Sequence, residues 1–139
     1  MKVLIVILLI FFSVNVLCQE NLTSKILIKY IHPGVHTIVA VDYKEFDTAF
    51  AKSMYKDTLL DNLLFLQKIK KEYIKVKYRK SYKRIDIRYK ISLYFPDNKK
   101  PILVYMSYYG EGSINEKLLA NCEFLKSLNS LIDSLNRKR

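Results

Sequence analysis

The sequence predicts an α+β domain: an antiparallel sheet of about four strands with helices packed on one face, in two layers. Three observations carry the prediction. Apolar and polar residues alternate strictly from Arg84 to Phe95, the pattern of a strand. From Leu59 to Val76 and again from Ile114 to Leu135, apolar residues recur at steps of three and four, the pattern of a helix with one buried side. Turn-forming residues, His32-Pro33-Gly34 and Pro96-Asp97-Asn98, stand where the pattern changes.

Taken in order, residues 1–18 have the form of an export signal, with Lys2 ahead of an apolar run from Val3 to Phe12 and a less hydrophobic end at Cys18. As a membrane span the stretch is short, fifteen residues from Val3 to Leu17, and Ser13 and Asn15 interrupt it. Cleavage after Cys18 is favoured over retention, with Val16 and Cys18 at the positions a signal peptidase reads, and no transmembrane anchor would then remain. The competing reading is a lipoprotein whose lipid sits on Cys18, but bulky Leu17 stands where a small residue is needed. The expected location is periplasmic or secreted. Asn21-Leu22-Thr23 fits a glycosylation acceptor, which matters only in a eukaryotic secretory pathway.

About 120 residues then remain, enough for a single domain spanning 19–139. Cys122 is left as the one cysteine, so no internal disulfide is expected, and its place on the same helical side as Leu118, Leu125 and Leu128 predicts a buried, inert thiol. Lys25 to Ile31 reads as a first strand turning at Pro33-Gly34 into a second, Val35 to Val41. Asp42 followed by Glu45 marks a short helical start of a turn or two carrying Phe46, Ala49 and Phe50. Thr58 and Asp61 at capping-box spacing open a helix predicted from Thr58 to Tyr73. The alternating strand follows, with Ile85, Ile87, Tyr89, Ile91, Leu93 and Phe95 on a buried side and Arg84, Asp86, Arg88, Lys90, Ser92 and Tyr94 on a wet one. Ile102 to Tyr109 is its hairpin partner. Ser113 and Glu116 repeat the capping-box spacing ahead of a last amphipathic helix with Ile114, Leu118, Cys122, Leu125, Leu128, Ile132 and Leu135 in one stripe.

The functional content lies in charge. Lys68 to Lys90 hold eleven Lys or Arg against Glu72 and Asp86, a net of +9, within a +10 total for residues 19–139. Tyr73, Tyr78, Tyr82 and Tyr89 are interleaved with these bases. The candidate binding residues are therefore Lys75, Lys77, Arg79, Lys80, Lys83, Arg84, Arg88 and Lys90, with Arg84, Arg88 and Lys90 sharing the wet side of the strand. A field of this size on a small domain exceeds what solubility needs, although lysine-rich helix ends and sheet faces are also commonly just solvated. An acidic macromolecule is the implied partner: a protein, an anionic glycan or a lipid headgroup. Nucleic acid is disfavoured by the export signal and by the lack of a recognition-helix, RNP or zinc-finger pattern.

No enzyme class finds support. Ser and His occur without a nucleophile elbow, and Asp57, Asp61, Asp86 and Glu111 give no sign of an acid/base pair. His32, His36, Asp42 and Glu45 match no zinc spacing, so neither metal nor cofactor is expected. Gly110-Glu111-Gly112-Ser113 reads as a strand-to-helix turn before it reads as an anion cradle. The expected function is thus a non-enzymatic exported interaction protein. The alternatives are a small extracellular enzyme or ligand carrier with a pocket between sheet and helices, and an envelope subunit docked through its C-terminal helix. Asp86-Ile87-Arg88-Tyr89-Lys90-Ile91, followed by a hairpin and a terminal helix, resembles small exported bacterial proteins of unknown function that carry a D-x-R-x-K strand; the resemblance covers about the C-terminal half and implies an envelope or secreted location.

Overall fold

A computed structural model of the chain describes residues 24–32, 34–35, 40–80 and 84–137. The expected signal at 1–18 and the candidate residue Lys83 lie outside the described residues. The element order is β1 (Lys25–Ile31), β2 (Tyr55–Leu60), α1 (Leu63–Tyr73), β3 (Ile87–Tyr94), β4 (Ile102–Ser107), β5 (Gly112–Ile114), β6 (Lys117–Leu118) and α2 (Glu123–Arg137). The strands form an open antiparallel sheet of six, in the order β2-β1-β3-β4-β5-β6, so the fold class is the one the sequence predicts, with two more strands.

β1 is as predicted to the residue, but its expected partner is not. Both of its edges are taken, one by β2 (Ile26 opposite Leu60, Ile31 opposite Tyr55) and the other by β3 (Ile26 opposite Leu93, Tyr30 opposite Tyr89). A strand at 35–41 therefore has no edge of β1 to pair with; residues 36–39 of that expectation lie outside the described residues. The predicted helix start at Thr58 is likewise corrected. Thr58 and Leu59 belong to β2, and α1 begins five residues later, where the Asn62 side chain accepts a hydrogen bond from the Phe65 N–H and closes the first turn.

The second capping-box expectation fails for a similar reason. Ser113 lies in β5, and Asn115 and Glu116 form a two-residue hairpin loop with φ of 48° and 68°, the left-handed pair that lets adjacent strands keep their twist. α2 starts only at Glu123. Its buried side is Phe124, Leu125, Leu128 and Ile132, while Ile114 and Leu118 reach two different cores from the hairpin. Cys122 precedes α2 and is half-buried.

The larger core joins one face of the sheet to both helices: Ile26, Ile28, Tyr89, Ile91, Leu93, Val104, Met106 and Ile114 meet Leu66 and Ile69 of α1 and Phe124, Leu125, Leu128 and Ile132 of α2. Gly112 sits where α2 comes closest; a Cβ there would stand 2.8 Å from a Leu125 methyl and 3.2 Å from one of Leu119. Fully burying a Leu or Ile contributes about 1.5–3 kcal/mol, so this interior supplies much of the driving force for folding.

A bulge in β3 builds the second core. The register with β4 shifts between Ile87 and Tyr89, so that Ile87 leaves the helix side and joins Ile31, Val41, Phe46, Ile85 and Leu118 on the opposite face. Residues 40–50 lie over that end of the face as a strap. It is the short helical start expected at Asp42 and Glu45, present as consecutive turns, and Phe46 is its anchor, fully buried and edge-on to Tyr55 at 5.5 Å.

Candidate basic surface

The strap decides which of the predicted basic residues are available. On β3 the expected wet face is covered over its first half. Asp86 accepts from the Val41 N–H at 2.9 Å and from the Arg88 guanidinium at 2.8 and 2.6 Å, while Arg88 also donates to the Val35 carbonyl at 3.2 Å. The Arg88 side chain is 7% exposed. Lys90 bonds Asp47, and Lys29, its cross-strand neighbour in β1, bonds the other oxygen of the same carboxylate at 2.9 Å. Arg84 stands 3.7 Å from both Asp42 and Glu45 and donates to the Ala40 carbonyl.

Arg84, Arg88 and Lys90 are thus not an open patch. Four acidic side chains, Asp42, Glu45, Asp47 and Asp86, meet them, and three of the four come from the strap. A buried or half-buried charge needs this pairing, since its desolvation is otherwise uncompensated. Burial alone pushes the Asp47 carboxyl up; the hydrogen bonds and charges of Lys90 and Lys29 more than reverse this and hold it below the usual carboxylate range. At the strap's edge the Tyr43 hydroxyl donates to Glu116, and that carboxylate, with some burial, raises the phenol pKa. Of the D-x-R-x-K pattern, Asp86 and Lys90 fasten the strap to the sheet, and Arg88 pairs with Asp86 and holds the Val35 carbonyl.

The remaining candidates stand apart from these three. After α1 the chain runs past the outer edge of β6: the Ala120 N–H donates to the Lys77 carbonyl at 2.8 Å and the Arg79 N–H donates to the Leu118 carbonyl at 2.9 Å, which bridges Tyr78 to Leu119. This backbone pairing fixes Lys77, Tyr78 and Arg79 on the sheet edge. Lys75, Lys77, Arg79 and Lys80 are all exposed. Arg79 has Glu111 at 3.9 Å; Lys75, Lys77 and Lys80 have no ion-pair partner among the described residues. Tyr78 lies in this surface with Lys117 Nζ 5.9 Å from its ring centre, and burial raises its phenol pKa.

Between the end of α1 and the start of α2 the same region opens into a groove of about 400 Å³ lined by Lys71, Glu72, Lys75, Lys77, Asn121, Cys122, Glu123 and Lys126. The charge run from Lys68 to Lys90 contains Lys71, Lys75 and Lys77 but gives no sign of Lys126, which only the packing of the two helices brings to the same groove. No group of three or more potential metal ligands occurs among the described residues, and no helix among them is long and apolar enough to cross a membrane.

Compared with protein-family models, curated proteins and solved structures, the chain matches none, which leaves its own geometry as the guide to what the basic surface does.

Proposed function

We propose that the protein is an exported, non-enzymatic interaction module that engages an acidic macromolecule through the surface formed by Lys75, Lys77, Arg79 and Lys80. The observation that carries this reading is the contrast in pairing. Arg84, Arg88 and Lys90 are each matched to an acid of the strap or to Asp86, whereas Lys75, Lys77 and Lys80, a few residues away, are exposed and have no ion-pair partner among the described residues. Unpaired like charges held close together repel one another, and an anionic partner relieves that repulsion. The backbone bonds at Lys77 and Arg79 add preorganisation, which lowers the ordering cost of association. The apolar run at residues 1–18 supports the exported location.

The test is binding of immobilised protein to an acidic polypeptide, a sulfated oligosaccharide and anionic vesicles over a salt series. A triple reversal, Lys75→Glu, Lys77→Glu and Lys80→Glu, is expected to weaken binding at least tenfold at low salt, and binding to the unaltered protein should fall steeply as salt screens the charges. The control reverses Lys99 and Lys100, exposed at the β3–β4 turn. Equal loss from both variants would mean that net charge, not this surface, attracts the partner.

A further inference from the structure

The sheet has two edges, and among the described residues the chain covers only one. At the β6 edge the Leu118 carbonyl accepts from the Arg79 N–H and the Ala120 N–H donates to the Lys77 carbonyl. At the other edge β2 has β1 on one side and no strand on the other. Which of its backbone groups point outward follows from one bond: the His32 N–H donates to the Met54 carbonyl at 3.1 Å, just beyond the Ile31–Tyr55 pair. Bonded and non-bonded pairs alternate along an antiparallel ladder. Lys56, Thr58 and Leu60 therefore turn their N–H and C=O to β1, and Tyr55, Asp57 and Leu59 turn theirs outward. The Lys52 carbonyl takes the Tyr55 N–H, but the backbone groups of Asp57 and Leu59 have no partner among the described residues. Exposed edges are commonly blunted by proline, a bulge or shortness. β2 has six residues, no proline, and an unbroken register with β1. Apolar side chains also gather here: Leu59, Leu63 and Leu64 are 62, 59 and 79% exposed.

We infer that this edge pairs antiparallel with the same edge of a second copy of the chain, about a two-fold axis at Thr58. The inference is independent of the basic surface. What chooses a copy is the charge pattern of the strand. A two-fold axis relating antiparallel edges of one continuous sheet stands perpendicular to it, so opposed residues lie on the same face and the axis passes at a residue. Centred on Lys56, it sets Lys56 against its own copy; centred on Asp57, it does the same to Asp57; centred on Leu59, it sets Asp57 against Asp61. Centred on Thr58, it opposes no like charges: Asp57 faces Leu59 of the second copy, and Lys56 faces Leu60 of the second copy. Asp57 and Leu59 then exchange both N–H···O bonds with the residues they face, so the open donors and acceptors are satisfied. The same register runs the Leu63–Leu64 end of each copy past Met54 of the other, a side chain 40% exposed. The β2 edge is thus self-complementary in charge as well as in hydrogen bonding.

The experiment follows the purified full chain by sedimentation velocity across a concentration series, with amide hydrogen exchange read residue by residue by NMR. The expected result is a monomer–dimer equilibrium in which the Asp57 and Leu59 amides exchange at least tenfold more slowly in the dimer. Asp57→Pro removes one outward N–H and leaves the β1-facing bonds of β2 in place, so it should weaken the dimer at least tenfold with the circular dichroism spectrum unchanged. Two substitutions at exposed Leu59 read the register, and they decide the matter if the proline variant does not fold. Leu59→Asp sets an acid against Asp57 of the second copy and should weaken the dimer about tenfold. Leu59→Lys sets a base against the same residue and should hold the dimer at or above its original strength. A monomer at every concentration overturns the inference. So does a dimer that Asp57→Pro leaves unchanged, with both amides unprotected, since its interface then lies elsewhere. Equal weakening by Leu59→Asp and Leu59→Lys refutes the Thr58-centred register on which the choice of a copy rests.

Discussion

Replacing Phe46 by alanine tests whether the strap over residues 40–50 is an integral part of the core or a loop resting on it. Phe46 is fully buried and stands edge-on to Tyr55 at 5.5 Å and to Tyr105 at 6.4 Å, in a cluster with Ile31, Val41, Ile85, Ile87 and Leu118. Removing its ring forfeits about 1.5–3 kcal/mol of transfer free energy. Each aromatic pair contributes about 0.5–1.5 kcal/mol more, and a residual cavity adds to the loss. The expected destabilisation is therefore about 3–5 kcal/mol, the usual range for a buried Phe→Ala. Urea unfolding measures it as a fall in midpoint at constant slope. Trypsin supplies an independent readout, because Lys44 in the strap and Lys52 just beyond it are exposed. A strap loosened by about 3 kcal/mol is cleaved at Lys44 roughly a hundredfold faster. Leu64→Ala, at a side chain 79% exposed, is the control and should stay within about 0.5 kcal/mol. A loss below about 1 kcal/mol for Phe46→Ala, with cleavage at Lys44 unchanged, would refute the anchoring of the strap and with it the account of why Arg84, Arg88 and Lys90 are paired.

Asp47→Asn leaves Lys29 and Lys90 side by side without their shared anion and should cost about 1–2 kcal/mol at low salt, toward the low end for charge-assisted hydrogen bonds because the Asp47 side chain is 46% exposed and solvent screens it. Because folding lowers the Asp47 pKa, its contribution is complete above the unfolded carboxylate pKa of about 3.9 and fades as pH falls through the lower, folded value; the stability gap between wild type and variant in urea titrations should close over that acid range and stay constant above it. Gly112→Ala should destabilise by about 1–3 kcal/mol in the same assay, since the added methyl meets Leu125 and Leu119 in the helix-covered core; a neutral result would mean that α2 shifts freely. Glu116→Gln should move the Tyr43 phenol titration, followed by NMR on labelled tyrosine, down toward the ordinary value of about 10; no movement would remove Glu116 as the cause of the raised pKa.

The parts of the fold that read directly from the sequence are those made by neighbours. β1 and the β3–β4 hairpin carry period-two patterns bounded by Pro and Gly or Asn, and both are where the pattern puts them. The misplaced helix starts share one cause. Thr58 with Asp61 and Ser113 with Glu116 have capping-box spacing, and leucines or isoleucines beside them happen to extend the helical period backwards. Local preference there is overridden by distant pairing: β2 completes an edge of β1 some thirty residues earlier, and the Asn115-Glu116 loop closes a hairpin. Asn62, one residue ahead of α1, and Asn115 in the loop were the better signals for a cap and a turn. In the candidate site the density of bases was legible from Lys68 to Lys90, but their availability was not. The acids that neutralise Arg84 and Lys90 come from residues 42–47, some forty positions upstream, and neither charge counting nor periodicity links the two segments.

The sheet order also sets a timetable. β1 leaves the ribosome first among the strands, yet it is an interior strand whose two neighbours are β2 and β3. Until residue 94 has been made, the sequence Lys-Ile-Leu-Ile-Lys-Tyr-Ile has at least one unpaired edge and no complete apolar layer to rest on. Non-local pairing of this kind is slow and exposes sticky intermediates. The lysines at positions 25 and 29 give that early strand a charge at alternate exposed places, a built-in guard against pairing with another nascent copy during the interval. Synthesis of about two thirds of the chain thus precedes completion of both edges of β1, and a holding factor that keeps β1 single through that period would act on an apolar strand at the stage when it lacks its full set of partners.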